Sequence, residues 1–317
     1  MTNAAMTDAV FSACRDKEHR VRNVKERFRS VSPVLKRILS GDPSAVIRGL
    51  RMRMSGLDRT GNRSEPVEWD RTNYCSQKRI AVYVAEFGGY DTVRSPLMFP
   101  DNIDYFLVSD RTAAPEGWHL KDPSGILPAD VTASAQRNRW CRMHPGLLFP
   151  DHDVSIYVDS STLIASDLTP LANAAQHRPV AMFRHMDRDC VYDEIEACRI
   201  KKKAPASMLD AQRGYLRELG VPEHWGLLET PMVVTDLHSP TSAGILQTWW
   251  EEYSRYPGRD QISLIACLWK QKISPGEIAA LGSDLRNCDL FLRLPHCLSS
   301  DETKILHEIF PETMKEG

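Results

Sequence analysis

Two observations predict an α/β chain built on a largely parallel sheet: short apolar runs rich in β-branched residues, each ending in a turn or a carboxylate, and helical patterns spaced between them. Residues 79–85 form the first run and lead into Phe87, Gly88, Gly89, Tyr90 and Asp91, where the glycines permit a tight turn. Residues 104–110 and 154–159 repeat this design, and 179–184 and 231–236 complete the series. Helices are predicted over 133–144, 206–219, 242–253 and 260–270. Strands alternating with helices imply a sheet covered on both faces, with ligands outside the carboxyl ends of its strands. Asp91, Asp110 and Asp159 stand at such ends.

Composition narrows the function classes. At 317 residues and 42% hydrophobic content the chain can bury a sizeable core. No stretch approaches the roughly 18–20 apolar residues of a membrane span, and the first ten residues lack a secretory pattern, so a soluble, cytoplasmic protein is expected. Eight scattered cysteines without a CxxC pair read as reduced thiols.

Charge is unevenly spread: residues 1–70 hold 14 Lys+Arg against 9 Asp+Glu, and the remainder 26 against 33. An acidic body gives no reason to expect a nucleic-acid partner. Within the basic part, Val21, Val24, Phe28, Val31, Leu35 and Ile38 recur at helical spacing over 15–39. Such a helix either docks on its own domain or binds an anionic surface, which would place the chain peripherally at the inner face of a membrane. The polar stretch 55–77 has no apolar periodicity. The expected division is therefore a basic helical extension and linker over 1–77 and a catalytic domain over 78–317. No internal repeat or low-complexity tract is present.

Four places could carry chemistry. Residues 154–159 deliver Asp159, Ser160 and Ser161 at the end of a buried strand; oxygen ligands of this kind suit Mg²⁺ or Mn²⁺ bridging to substrate phosphates, although Asp and Ser also favour turns. Arg139 and Arg142 share one face of a predicted helix, where paired guanidiniums could grip a diphosphate. His185, Arg188, Asp189 and Glu194 crowd the segment after a strand, with His185 and Arg188 the first candidates for an acceptor or anion contact. Asp193 and Glu194 also suit a helix start. Asp260 and Gln261 open a helix after Pro257 and Gly258, in reach of a reacting group or simply as a cap.

In order along the chain, these pieces resemble a glycosyltransferase-like family named for the plant TOD and MUCI proteins. The resemblance rests on Ile80 to Tyr83 with Phe87 to Asp91, then Asp104, Tyr105, Ser109 and Asp110, then Ser155 to Asp159. His185, Arg188, Asp189, Cys190, Tyr192, Glu194, Gly226, Leu227, Glu229, Thr230, Trp249, Trp250, Arg259, Asp260 and Gln261 follow in the same order. It spans roughly residues 78 to 270 and implies a GT-A-like nucleotide-sugar-binding fold, similar to retaining bacterial lipooligosaccharide galactosyl- and glucosyltransferases.

The implied activity is transfer of a hexose from a nucleotide-diphosphate sugar to a glycan or glycolipid acceptor in polysaccharide biosynthesis. The implied roles are donor binding for Tyr83, Asp110, Arg139, Arg142, Asp159 and Ser161, catalysis for Asp260, Gln261 and Asp189, and acceptor or anion contact for His185, Arg188 and Glu194. Such enzymes bind Mn²⁺ through an Asp-x-Asp motif. Asp159 matches its first acid, but Ser161 stands in place of the second, so Mn²⁺ or Mg²⁺ would sit on Asp159 and Ser161 if it is used. Ile262 likewise replaces the last acid of a second motif begun by Asp260 and Gln261. His296 is the nearest candidate for the histidine that often completes the metal site, and it is not counted in the site. Two other functions remain: a non-catalytic sugar-nucleotide-binding protein, and a metal-assisted hydrolase, for which no HExxH motif or histidine cluster speaks.

Overall fold

A computed structural model describes residues 3–30, 52, 54–57, 69–176, 178–282, 284–285, 288–294 and 300–311. Part of the predicted basic helix (31–39), part of the predicted polar linker (58–68) and His296 lie outside the described residues.

The apolar runs become strands β1 (Ile80–Ala85), β2 (Ile103–Val108), β4 (Val154–Val158), β6 (Val180–Arg184) and β7 (Leu228–Asp236), with short β3 (His119–Lys121) and β8 (Ala279–Ala280) at the two edges. They form one sheet in the order β3-β2-β1-β4-β7-β6-β8. All of its pairings are parallel except those of β7, which runs antiparallel to both β4 and β6. The GT-A-like α/β class with a mostly parallel sheet is thus the class observed.

Sheet order explains where a ligand can sit. From β1 the chain moves outward to β2 and β3, then returns to place β4 on the other side of β1. The loops after β1 and β4 therefore diverge, which opens a crevice at the carboxyl ends of these two strands.

Burial on both faces accounts for the uninterrupted apolar character of β1 and β4. Ile80, Val82 and Val84 face one cluster with Ile156, Val158 and Leu171, while Ala81 and Tyr83 face a second with Tyr157, Trp249 and Leu264. The first side is covered by α4 (Thr169–Asn173). On the second lie α2 (Ser134–Met143) with its one-turn continuation α3 (Pro145–Leu148), α7 (Pro240–Arg255) and α8 (Asp260–Lys270). A further cluster joins α5 (Val191–Ile200) and α6 (Ala206–Glu218) to α8.

Predicted and observed strand ends agree within a residue or two except in β7, which begins at Leu228 rather than at residue 231. Its earlier half reads as polar because Glu229 and Thr230 are there. Pro231 fits because the pairing with β6 shifts register between Met182, opposite Val233, and Phe183, opposite Glu229, so no ladder hydrogen bond is asked of the proline.

The N-terminal helix α1 (Asn3–Ser30) docks on the rest of the molecule. Val21 and Val24 are fully buried against Leu163, Leu292, Leu306 and Phe310. Those partners come from the small antiparallel pair β5 (Thr162–Ile164) and β9 (Phe291–Arg293) and from the last helix α9 (Ser300–Ile309) with the residue after it. Basic residues of α1 are engaged there as well: Arg20 Nε donates to the Ile309 carbonyl at 2.9 Å, and Arg22 pairs with Asp289 at 3.1 Å. No helix of the described residues is long and apolar enough to cross a membrane. The seven described cysteines are free and, apart from Cys75, buried.

Candidate functional site

The crevice holds a cavity of about 440 Å³. Glu86, Tyr90 and Asp91 enter it from the loop after β1, and Asp159, Ser160 and Ser161 from the end of β4. Helix α2 contributes Asn138, Arg139 and Arg142. Lys203 comes from the loop after α5, Arg259 from the residue before α8, and Arg293 from the last residue of β9. A larger cavity of about 740 Å³ lies between α1 and the segments that precede β1 and β2, lined by Val10, Tyr74, Met98 and Asn102 among others. It is at the amino ends of those strands, where this sheet offers no diverging loops, so the smaller, polar crevice is the better candidate.

A buried ion network forms its floor. Arg142, 3% exposed, reaches Asp159 Oδ1 at 3.0 Å and the Tyr157 hydroxyl at 2.8 Å through Nη2, and bonds Asp260 Oδ2 through Nη1. Tyr157 in turn donates to Asp159 Oδ1 at 2.9 Å, and Thr230 donates to Asp260 Oδ2 at 3.1 Å. Burial opposes the charge on Asp260, but Arg142, Arg139 and Arg259 outweigh it and hold its carboxyl well below the usual carboxylate range. Burial likewise opposes the charge on Arg142, and Tyr157, Asp260 and Asp159 reverse its effect. Asp260 therefore remains an ionised anchor for Arg142, and Asp159 is held between Tyr157 and the guanidinium.

Beside this floor, His185, Arg188 and Glu194 form a second buried network. His185 Nδ1 accepts from the backbone N–H groups of Asp187 and Arg188, each at 3.1 Å, so the imidazole closes its own turn. Arg188 Nε donates to Glu194 Oε2 at 2.8 Å, and Arg259 lies 4.0 Å from the other Glu194 oxygen. Burial raises the Glu194 pKa, yet Arg188, His185 and Arg259 together bring it below its ordinary value. These residues stand behind Arg259 rather than on the cavity wall.

The structure thus brings together Arg139, Arg142, Asp159, Ser161 and Asp260. It places four other predicted residues elsewhere. Tyr83 is fully buried, its hydroxyl donating to the Cys141 carbonyl at 3.2 Å. Asp110 pairs with Arg137 at 3.5 Å away from the cavity lining. Gln261 spends its amide on the Leu228 carbonyl at 2.9 Å. Asp189 is engaged with His224, whose Nδ1 lies 2.7 Å from its Oδ1.

Sequence reading missed Asn138, Lys203, Arg259 and Arg293 as wall residues. Arg259 had a signal, since it adjoins Asp260 in a motif already singled out. Lys203 and Arg293 had none, because only the fold brings them to the crevice; for Arg293, β5 and β9 pair it with Thr162, and Leu294 N–H donates to the Ser161 carbonyl at 2.7 Å.

Two features describe what this wall can hold. Arg139, Arg142, Lys203, Arg259 and Arg293 line it, and of these Arg142 is spent on Asp159 and Asp260 while Arg139 Nε lies 3.9 Å from Asp260 Oδ2. Guanidiniums and an ammonium gathered on one crevice suit an anionic ligand. Among the described residues, the group of three His, Cys, Asp or Glu donors close enough to share a metal ion is Cys190, Asp193 and His224, none of which lines the cavity.

A crevice at the switch point of a mostly parallel sheet, walled by arginines around a strand-terminal aspartate, belongs to a GT-A-like α/β fold. Residues 141–289, just under half of the chain, match the model of the TOD1/MUCI70, glycosyltransferase-like domain. The matched segment starts later and ends later than the motifs had suggested, running from the last turn of α2 through β8 and leaving out β1, β2 and β3. Among curated proteins none matches the chain in sequence. Solved structures similar to it include the galactosyltransferase LgtC in complex with donor and acceptor sugar analogues (10% identity, 75% of this chain and 97% of that chain, TM-score 0.42). Also similar are the bifunctional glycosyltransferase WbbM (12% identity, 68% and 40%, TM-score 0.41) and mouse xyloside xylosyltransferase 1 (10% identity, 64% and 83%, TM-score 0.38).

Proposed function

We propose that this chain is a hexosyltransferase that takes its sugar from a nucleotide-diphosphate donor and passes it to a glycan or glycolipid acceptor in polysaccharide biosynthesis. The observation that carries the reading is the convergence of Arg139, Arg142, Lys203, Arg259 and Arg293 on a crevice at the carboxyl ends of β1 and β4. A diphosphate bridged to a nucleoside and a sugar is an anion of suitable kind, and its leaving charge would be stabilised by donors already in place. The glycosyltransferase-like domain match supports the same reading.

The transfer breaks the bond between the sugar's anomeric carbon and the diphosphate oxygen and makes one from that carbon to an acceptor hydroxyl. We favour retention of configuration, with the leaving diphosphate taking the acceptor's proton. Asp260 is ill suited as a general base, because it is 2% exposed and held ionised by three arginines. Asp189 is engaged with His224 outside the cavity. Asp159, with Oδ1 shared by Arg142 and Tyr157, has a positioning role toward the donor.

Incubation of the purified chain with a panel of UDP-, GDP- and CMP-sugars and candidate glycan acceptors tests the proposal. One donor should release its nucleotide and yield a glycosylated product whose first-formed anomer, read by proton NMR, matches the donor's. Binding of a donor without turnover would support the non-catalytic reading, and release of free sugar alone would support a hydrolase.

A further inference from the structure

Resting on that reading of the cavity, we infer that the donor's diphosphate is neutralised by this chain's own cations, Arg139, Arg259, Lys203 and Arg293, without a divalent metal at Asp159. The donor set at Asp159 is the first reason. A hard cation such as Mg²⁺ or Mn²⁺ takes oxygen ligands, carboxylates above all, in a full coordination shell. Here the cavity presents three carboxylates, and each already accepts from a protein donor. Glu86 pairs with Arg111 at 2.6 Å and accepts the Tyr90 N–H at 2.6 Å. Asp91 accepts from the Ser160 hydroxyl, and Asp159 Oδ1 is shared by Tyr157 and Arg142. A guanidinium 3.0 Å from the carboxylate that would hold the metal repels that metal. The position of the motif's second acid is Ser161, a hydroxyl residue next to Thr162, which the β5–β9 pairing sets opposite Arg293.

Charge is the second reason. The walls carry five Lys or Arg side chains against those three carboxylates. A site built to seat a cation would show the opposite balance, whereas this one matches a diphosphate directly. The cations also crowd one another: burial first, and then repulsion from Arg259, Lys201 and Arg293, lowers the pKa of Lys203, although Lys203 is exposed as a residue. An anion between them would relieve that repulsion. Arg139 and Arg259 reach the cavity from two sides, α2 and the residue before α8.

Isothermal titration calorimetry on the full chain with UDP, GDP, CDP, ADP and dTDP, in excess EDTA and again in excess Mn²⁺, tests this. The diphosphate that binds should do so with a Kd that changes less than about twofold between the two conditions. Arg259→Gln should weaken it roughly 10- to 100-fold, as loss of hydrogen bonds to a charged group predicts. Lys203→Gln, at an exposed position, should weaken it severalfold and keep the wild-type unfolding midpoint, which covers the case in which the Arg259 variant does not fold. The corresponding monophosphate should be insensitive to the Lys203 change. Binding that appears only with Mn²⁺ would overturn the inference and leave the donor-site reading standing. Silence from every diphosphate in both conditions would overturn the donor-site reading and the inference with it.

Discussion

Arg142 holds the floor of the crevice because its planar fork meets Asp260 on one side and Asp159 and Tyr157 on the other, which an ammonium could not do. Arg142→Leu would leave Asp260 buried beside its remaining partners, and unfolding free energy from urea denaturation should fall by about 3–5 kcal/mol. The same pair sets a pH dependence. The folded-state pKa of Asp260 is depressed below its ordinary 3.8, so its stabilising contribution is fully present above about pH 4 and is lost as pH falls toward the folded value. Asp260→Asn should therefore lower stability most at neutral pH, and the gap from wild type should narrow in denaturation curves taken below pH 4. At this scale the sequence was readable where local pattern fixes position. Asp159 ends an apolar run, and Arg139 and Arg142 are three apart on one helix. Tyr83 was misplaced because β1 is apolar throughout, so no polar alternation marks which residues face the ligand side.

Helix α1 shows how an element's role depends on what it meets. Its apolar spacing and its basic surface were both legible, but the partners that Val21 and Val24 meet, from β5, β9 and α9 more than a hundred residues away, were not. Val24→Asp should cost upward of about 2 kcal/mol in chemical denaturation, since it puts an unpaired carboxylate into that apolar cluster. Arg22→Gln, which breaks only the half-exposed pair with Asp289, should cost about 1 kcal/mol or less. Helix α5 was hidden for a different reason: the crowding of titratable residues from 185 to 194 masks its start, though Asp193 and Glu194 do occupy its first turn. The reversed direction of β7 has no local signature, because an antiparallel strand buried on both faces reads like a parallel one.

At the scale of the whole molecule, strand alternation gave the class, and the order of strands gave the place of the site. The return of the chain from β3 to β4 separates the loops after β1 and β4, and the remaining wall is supplied by segments that approach from α5, α8 and β9. Lys203, Arg259 and Arg293 could not be grouped from the sequence, since they are 56 and 34 residues apart and share no motif. Their convergence with α2 is what makes the crevice an anion-binding cavity in this account. Binding of a donor there should also be visible as stabilisation by mass action, about 2.7 kcal/mol at a hundredfold excess over Kd. The most direct measurement is a thermal-shift and calorimetric screen of the full chain against UDP-, GDP- and CMP-sugars, repeated on Arg139→Gln and Asp159→Ala. A single donor class that raises the melting temperature of the wild type, and fails to do so in both variants, is the predicted result. A donor that stabilises all three proteins equally would place its site outside this crevice and contradict the account.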